Sequence, residues 1–127
     1  MTLVDTSAWI HCLRPEGDPA VRARVQALLD AGEAAWCDMV KLELWHGARG
    51  ETERRVLREM EEALVLLPSG DEVWQNAFRL ARVTRQVGKT VPATDLLIGA
   101  CAQAHGAALA HDDQHLSEIA KLNIKPL

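Results

Sequence analysis

Four carboxylic acids stand out by where they fall. Asp5 directly follows the apolar run Thr2-Leu3-Val4. Glu43 lies inside Val40-Lys41-Leu42-Glu43-Leu44-Trp45, where Met39, Val40, Leu44 and Gly47, at helical spacing, are apolar or small. Asp95 stands between Pro92-Ala93-Thr94 and Leu96-Leu97-Ile98-Gly99-Ala100-Cys101-Ala102, and Asp113 follows Ala107-Ala108-Leu109-Ala110-His111-Asp112. An acid against so apolar a segment is costly to bury unless it caps a helix, is ion-paired or binds a cation. Each acid has an ordinary role open to it. Asp5 suits a helix cap or turn, and Glu43 a solvated or ion-paired edge. Thr94 or Asp95 suits a helix cap. One of Asp112 and Asp113 must cap the last helix, leaving the other free to point at the strand ends. Gathered in one place, however, the four would repel one another unless a divalent cation neutralised them. Oxygen ligands suit Mg2+ or Mn2+, ions that engage phosphates and make a bound water acidic enough to attack in line. That is nuclease chemistry, and it needs no nucleophilic Ser or Cys.

The elements that would carry these acids alternate short apolar runs with longer amphipathic ones, the pattern of an α/β fold. Thr2-Leu3-Val4 reads as a first, buried strand, with Thr6 or Ser7 capping a helix to about Leu13 that Arg14-Pro15-Glu16-Gly17 breaks. Asp18 caps a second helix with Pro19 at its first position and Val21, Val25, Leu28 and Leu29 as its apolar stripe, and Gly32 ends it. Ala34–Cys37 reads as a second strand, with Asp38 as the cap of a helix from Met39 to about Ala48. Glu53 to Leu64 is a charged helix and Val65–Leu67 a third strand. A long helix opens at Ser69 or Gly70 and runs to about Val87, and the helix containing Asp95 ends at Gly106. Ala107–Ala110 is the fourth strand, Leu116–Leu122 a short helix, and Ile124 falls in an edge strand. The expectation is a mostly parallel sheet of four or five strands with helices on both faces, one domain over residues 1–127. Ligands bind such sheets outside the carboxyl ends of the strands, where Asp5 and Asp113 fall.

Composition sets the bounds. The 127 residues are 48% hydrophobic and 25% charged, ordinary for one folded domain. The net charge of −4 argues against a generic basic nucleic-acid binder. Setting the four acids aside leaves acids and bases equal in number, so an acidic total is compatible with a nucleic acid bound through metal. Cys12, Cys37 and Cys101 are odd in number and widely spaced, which excludes a simple disulfide framework. No apolar run is long enough for a membrane helix, and the opening residues do not read as a signal peptide, so a cytoplasmic location is expected.

In order, four segments resemble the motifs of the PIN-domain family, in particular the VapC-like toxins of type II toxin–antitoxin pairs. They are Leu3-Val4-Asp5-Thr6-Ser7-Ala8-Trp9-Ile10, then Val40-Lys41-Leu42-Glu43-Leu44 with Gly47-Ala48, then Asp95-Leu96-Leu97-Ile98-Gly99-Ala100-Cys101-Ala102, and Ala110-His111-Asp112-Asp113-Gln114-His115-Leu116 with Ile119-Ala120. The resemblance covers essentially the whole chain and implies the three-layer α/β/α fold of that family. His111 stands where the family usually has Thr or Ser, and Leu116 where it usually has Phe. By this resemblance Asp5, Glu43, Asp95 and Asp113 are the catalytic, metal-holding acids, with Thr6, Ser7 and Asp112 as auxiliary polar groups. It implies Mg2+- or Mn2+-dependent cleavage of RNA, homodimerisation, and a cognate antitoxin that places a basic side chain among the acids.

Arg79, Arg82, Arg85 and Lys89 lie in a stretch without acids and fall on one helical face, a candidate RNA-contacting edge or a solvated face near the helix end. Arg49, Arg54, Arg55 and Arg58 are interleaved with glutamates, as ion pairing along a helix requires. Trp9, Trp36, Trp45 and Trp74 read as core or dimer-contact residues, with Trp9 and Trp45 nearest the acids in sequence. Two other activities fit parts of the pattern. A phosphoacceptor receiver domain also gathers acids at strand ends and often has Lys-Pro near its last strand, as in Lys125-Pro126. A zinc hydrolase could use His111 and His115, provided both lie on one continuous helix.

Overall fold

The short apolar runs become strands and the amphipathic stretches become helices. A computed structural model describes residues 1–120. In chain order the elements are β1 (Thr2–Val4), α1 (Thr6–Leu13), α2 (Pro19–Asp30), β2 (Ala34–Cys37), α3 (Asp38–His46), α4 (Gly50–Ala63), β3 (Val65–Leu67), α5 (Asp71–Gln86), α6 (Ala93–Ala104), β4 (Ala108–Ala110) and α7 (Gln114–Ala120). The expected extension of the last helix to Leu122, the edge strand at Ile124 and the Lys125-Pro126 pair lie outside the described residues.

The four strands pair in the order β3-β2-β1-β4, all parallel. Leu3 is in register with Ala35 on one side and Leu109 on the other. Helices flank this sheet, so β2 is buried along its whole length, as a parallel strand covered on both faces must be. Chain order runs β1, β2, β3 toward one edge, and the chain then returns to add β4 on the other side of β1. The gap between the carboxyl ends of β1 and β4 is therefore the point where the strand order reverses, the usual place for a ligand. The core includes Leu3, Val25, Trp36, Leu57, Leu80 and Ile98, all fully buried.

The second helix follows the sequence closely. The Asp18 carboxylate accepts from Ala20 N–H, Pro19 opens the helix, and Gly32 follows its end at φ 68°. Val21 and Val25 face the core, whereas Leu29 is exposed at the helix end. Helix α7 begins at Gln114, two residues before the expected Leu116, because Asp113 caps it, and three earlier helix starts also differ from expectation. Asp5, rather than Thr6 or Ser7, caps α1, because a carboxylate one residue earlier reaches the free N–H of the second turn position. The cap of α3 is Cys37, with Asp38 inside the helix, where its charge still favours the first turn. Helix α4 begins at Gly50 rather than Glu53, and Glu53 instead reaches back to accept from Arg49 N–H at 2.9 Å.

Candidate active site

Helix α1 is the bracket of the site. Its cap, Asp5, is buried and uses Oδ2 to accept from Ser7 N–H (3.0 Å) and from Ser7 Oγ (2.6 Å). Asp5 N–H donates to Ala110 O at 2.8 Å, which ties the end of β1 to the end of β4. Ser7 Oγ also accepts from Asp112 N–H at 2.8 Å, so one hydroxyl joins the two strand ends. Thr6, the first residue of α1, donates from Oγ1 to Glu43 Oε1 at 2.9 Å and thereby brings α3 to the same corner. Just past the helix, Arg14 holds α3 and α4 in place. Its Nε donates to Glu53 Oε2 at 3.0 Å and its Nη2 to Gly47 O at 3.1 Å, from a side chain only 11% exposed.

Asp95 arrives from the opposite direction. Helix α6 starts at Ala93 with Pro92 as its cap, so neither Thr94 nor Asp95 serves that role. Asp95 lies in the first turn and is 8% exposed. Its carboxyl is pushed up to about 6, first by burial, then by the charges of Asp113 and Asp5 and lastly of Glu43; His115 opposes the rise. The Glu43 carboxyl is also raised, first by burial, against the Thr6 hydrogen bond, and further by the charges of Asp5 and Asp113. Glu43 and Asp95 thus each feel Asp5 and Asp113: acids from four separate parts of the sequence share one electrostatic neighbourhood.

Asp113 caps α7 through Oδ1, which accepts from His115 N–H (2.7 Å) and Leu116 N–H (3.3 Å). The expected division of labour between Asp112 and Asp113 is therefore different. Asp113 both caps the helix and stands among the acids, as Asp5 does on β1. Asp112 turns aside, with its Oδ2 at 2.9 Å from His11 Nε2.

These donors fit a hard divalent cation. All are carboxylate oxygens, and two, Glu43 and Asp95, are raised in pKa by burial and by the charges of Asp5 and Asp113, as clustered acids are. Among the described residues, no group of three or more His, Cys, Asp or Glu side chains is placed as it stands to hold a metal ion.

The expected basic edge is distributed. Arg82 and Arg85 are exposed on α5, Arg79 is half-buried on the same helix, and Lys89 lies beyond its last residue. Of the other arginine cluster, Arg54 and Arg58 pair with Glu51 and Arg49 with Glu16. Trp9 and Trp36 are core residues, Trp45 is half-buried and Trp74 is exposed against Phe78. His111 precedes α7 while His115 lies within it, so the two do not share a helix and the zinc reading fails. Two histidines join the neighbourhood: His115, considered in sequence only as a zinc ligand, whose charge acts on Asp95, and His11, passed over in sequence, which contacts Asp112. The only signal for His11 is its spacing four residues after Ser7, which puts both on one face of α1.

The PIN domain family model matches residues 2–122. Among curated relatives, Ribonuclease VapC18 of Mycobacterium tuberculosis is 32% identical, with 97% of this chain and 90% of that protein covered. Ribonuclease VapC51 of the same organism is 34% identical over 98% of this chain and 88% of that one. Among solved structures, the DNA-bound VapBC of Salmonella typhimurium superposes with a TM-score of 0.77 at 16% identity, covering 93% of this chain and 91% of that one, a likeness of fold.

Proposed function

The chain belongs to the PIN-domain family, and we propose that it is an endoribonuclease, the toxin of a type II toxin–antitoxin pair, hydrolysing RNA at Asp5, Glu43, Asp95 and Asp113 with Mg2+ or Mn2+ as cofactor. The observation that carries this reading is the convergence itself: Glu43 on α3 and Asp95 on α6 both respond to Asp5 and Asp113 at the adjoining ends of β1 and β4. Bound there, the cation supplies an acidic water and positive charge opposite the phosphate. Asp5 and Asp113 are fixed by their capping bonds and would hold the ion. Thr6 orients Glu43, and the buried surroundings of Asp95 limit competing solvent. No single acid is the general base, because coupled carboxylates titrate as a set.

The ribonuclease names of the curated relatives support the RNA substrate. The toxin–antitoxin complexes among structures of the same fold support a cognate antitoxin, and the acid cluster is suited to receive a basic side chain from it. The further elements of the reading are one nuclease domain over residues 1–127, a homodimer, and action in the cytoplasm. The exposed Trp74–Phe78 pair on α5 supports the dimer. Among the described residues no helix is long and apolar enough to cross a membrane. Arg82 and Arg85, on the half of α5 that leads into the loop before Asp95, track the RNA phosphates, with Arg79 and Lys89 flanking them. The receiver reading falls with the family assignment.

The test is cleavage of a mixed RNA pool by the purified chain with Mg2+, with Mn2+ and with a chelator, mapping the 5′ and 3′ ends of the products. Internal cuts that need the metal are expected. An uncut pool, or cutting indifferent to the chelator, would overturn the reading.

A further inference from the structure

His11 sits between two fixed points. Its Nδ1 accepts from the backbone N–H of Asp18 at 2.9 Å, and its Nε2 lies 2.9 Å from Asp112 Oδ2. A ring nitrogen that accepts an N–H carries no proton of its own. The neutral ring therefore has its proton on Nε2 and donates it to Asp112. Neither anchor is loose. Asp18 is the cap of α2 and is held by its own bond to Ala20 N–H (2.8 Å), while the carbonyl of His11 accepts from Arg22 Nε at 2.7 Å. Asp112 is gripped a second time, at its backbone N–H, by Ser7 Oγ (2.8 Å). One residue earlier, His111 O accepts from Arg24 Nη2 at 3.2 Å.

Helices α1 and α2 thus clamp the turn between β4 and α7 at His111 and Asp112. Asp113 is the next residue, and its carboxylate caps α7 while its charge reaches Glu43 and Asp95. We propose that His11 is a positioning residue: by holding Asp112 from α1, it fixes the chain at the next residue and so the placement of the Asp113 carboxylate in the acid cluster. The inference rests on the metal-site reading above. His11 touches neither the acids nor the substrate, and it acts through Asp112.

The test compares the RNA-free protein with His11→Ala and His11→Gln, by Mn2+ titration and by thermal unfolding in chelator. The glutamine amide can donate to Asp112 from about the same place as Nε2. Outer contacts of this kind typically set metal affinity about 10- to 100-fold. H11A is expected to weaken Mn2+ binding at least about tenfold, to leave the KM for RNA within about twofold, and to be substantially rescued in H11Q. Asp112→Ala should weaken binding to the same extent, and the double variant H11A/D112A no further. Wild-type-like Mn2+ binding by H11A overturns the inference and leaves the metal site standing. So does a loss that follows a lowered Tm and is not restored in H11Q. Failure of the unaltered chain to bind Mn2+ overturns both readings together.

Discussion

Thr6 Oγ1 donates to Glu43 Oε1 at 2.9 Å across 37 positions of sequence, joining the first turn of α1 to the middle of α3. This bond opposes the rise that burial and the neighbouring acids impose on the Glu43 carboxyl. Thr6→Val is expected to raise that carboxyl further and to weaken Mn2+ affinity about tenfold, with Thr6→Ser close to the original protein. Calorimetric titration at pH 6 and 7.5 checks this, and the deficit should be larger at pH 6. Equal affinity in T6V would remove Thr6 from the account.

Asp95 links function to stability through its sign. Its folded value of about 6 lies above the ordinary 3.8, so the folded chain binds more protons than the unfolded one between those limits. Without metal, stability is highest below about pH 4 as far as this group is concerned, falls as pH rises to about 6, and stays lower above. The raised Glu43 adds in the same direction. Asp95→Asn should therefore stabilise the metal-free protein at pH 7.5, by at most about 3 kcal/mol, flatten this dependence and abolish cleavage. Urea unfolding in chelator across pH 4–8 is the check; an Asp95→Asn chain no more stable than the original would contradict it.

Gly17 is required by a close approach rather than by an unusual backbone angle. A Cβ there would lie 1.9 Å from His11 O and 2.7 Å from His11 Cα, against main chain that cannot rotate away. Gly17→Ala is expected to cost about 1–3 kcal/mol in thermal or urea unfolding. Gly47→Ala, whose Cβ would meet only Glu43 O at 3.4 Å, should cost under about 1 kcal/mol.

The basic end of α5 makes a prediction about salt. If Arg82 and Arg85 track phosphates, Arg82→Ala/Arg85→Ala should raise the KM for RNA and leave kcat within about twofold. It should also make the slope of log KM against log salt shallower by about 0.7 per arginine. An unchanged slope would assign the two side chains to a solvated face.

Much of this was legible because it is local. An apolar run ending in Asp, a Pro after Asp18 and a Gly at a helix end each carry their own physics, and strands β1 and β2 and helix α2 lie where those signals put them. Helix starts were less legible, because a carboxylate can cap from one residue outside, as Asp5 does, or be displaced inward, as Asp38 is. The convergence of Asp5, Glu43, Asp95 and Asp113 could be expected only by treating four separated motifs together, since nothing local distinguishes a capping acid from one that also faces a cation. Asp113 is both. The His11 clamp was not legible, because its contact with Asp112 spans 101 positions and exists only once β4 lies beside β1.

Asp5, Glu43, Asp95 and Asp113 are proposed to serve one metal site. The most direct measurement is Mn2+ binding by the RNA-free chain and by Asp5→Asn, Glu43→Gln, Asp95→Asn and Asp113→Asn, with unfolding in chelator as the control for folding. Every neutralised variant should remain folded and bind at least about tenfold more weakly than the original. A folded variant that retains full affinity, above all at Glu43 or Asp95, would contradict the claim that these remote carboxylates form a single site.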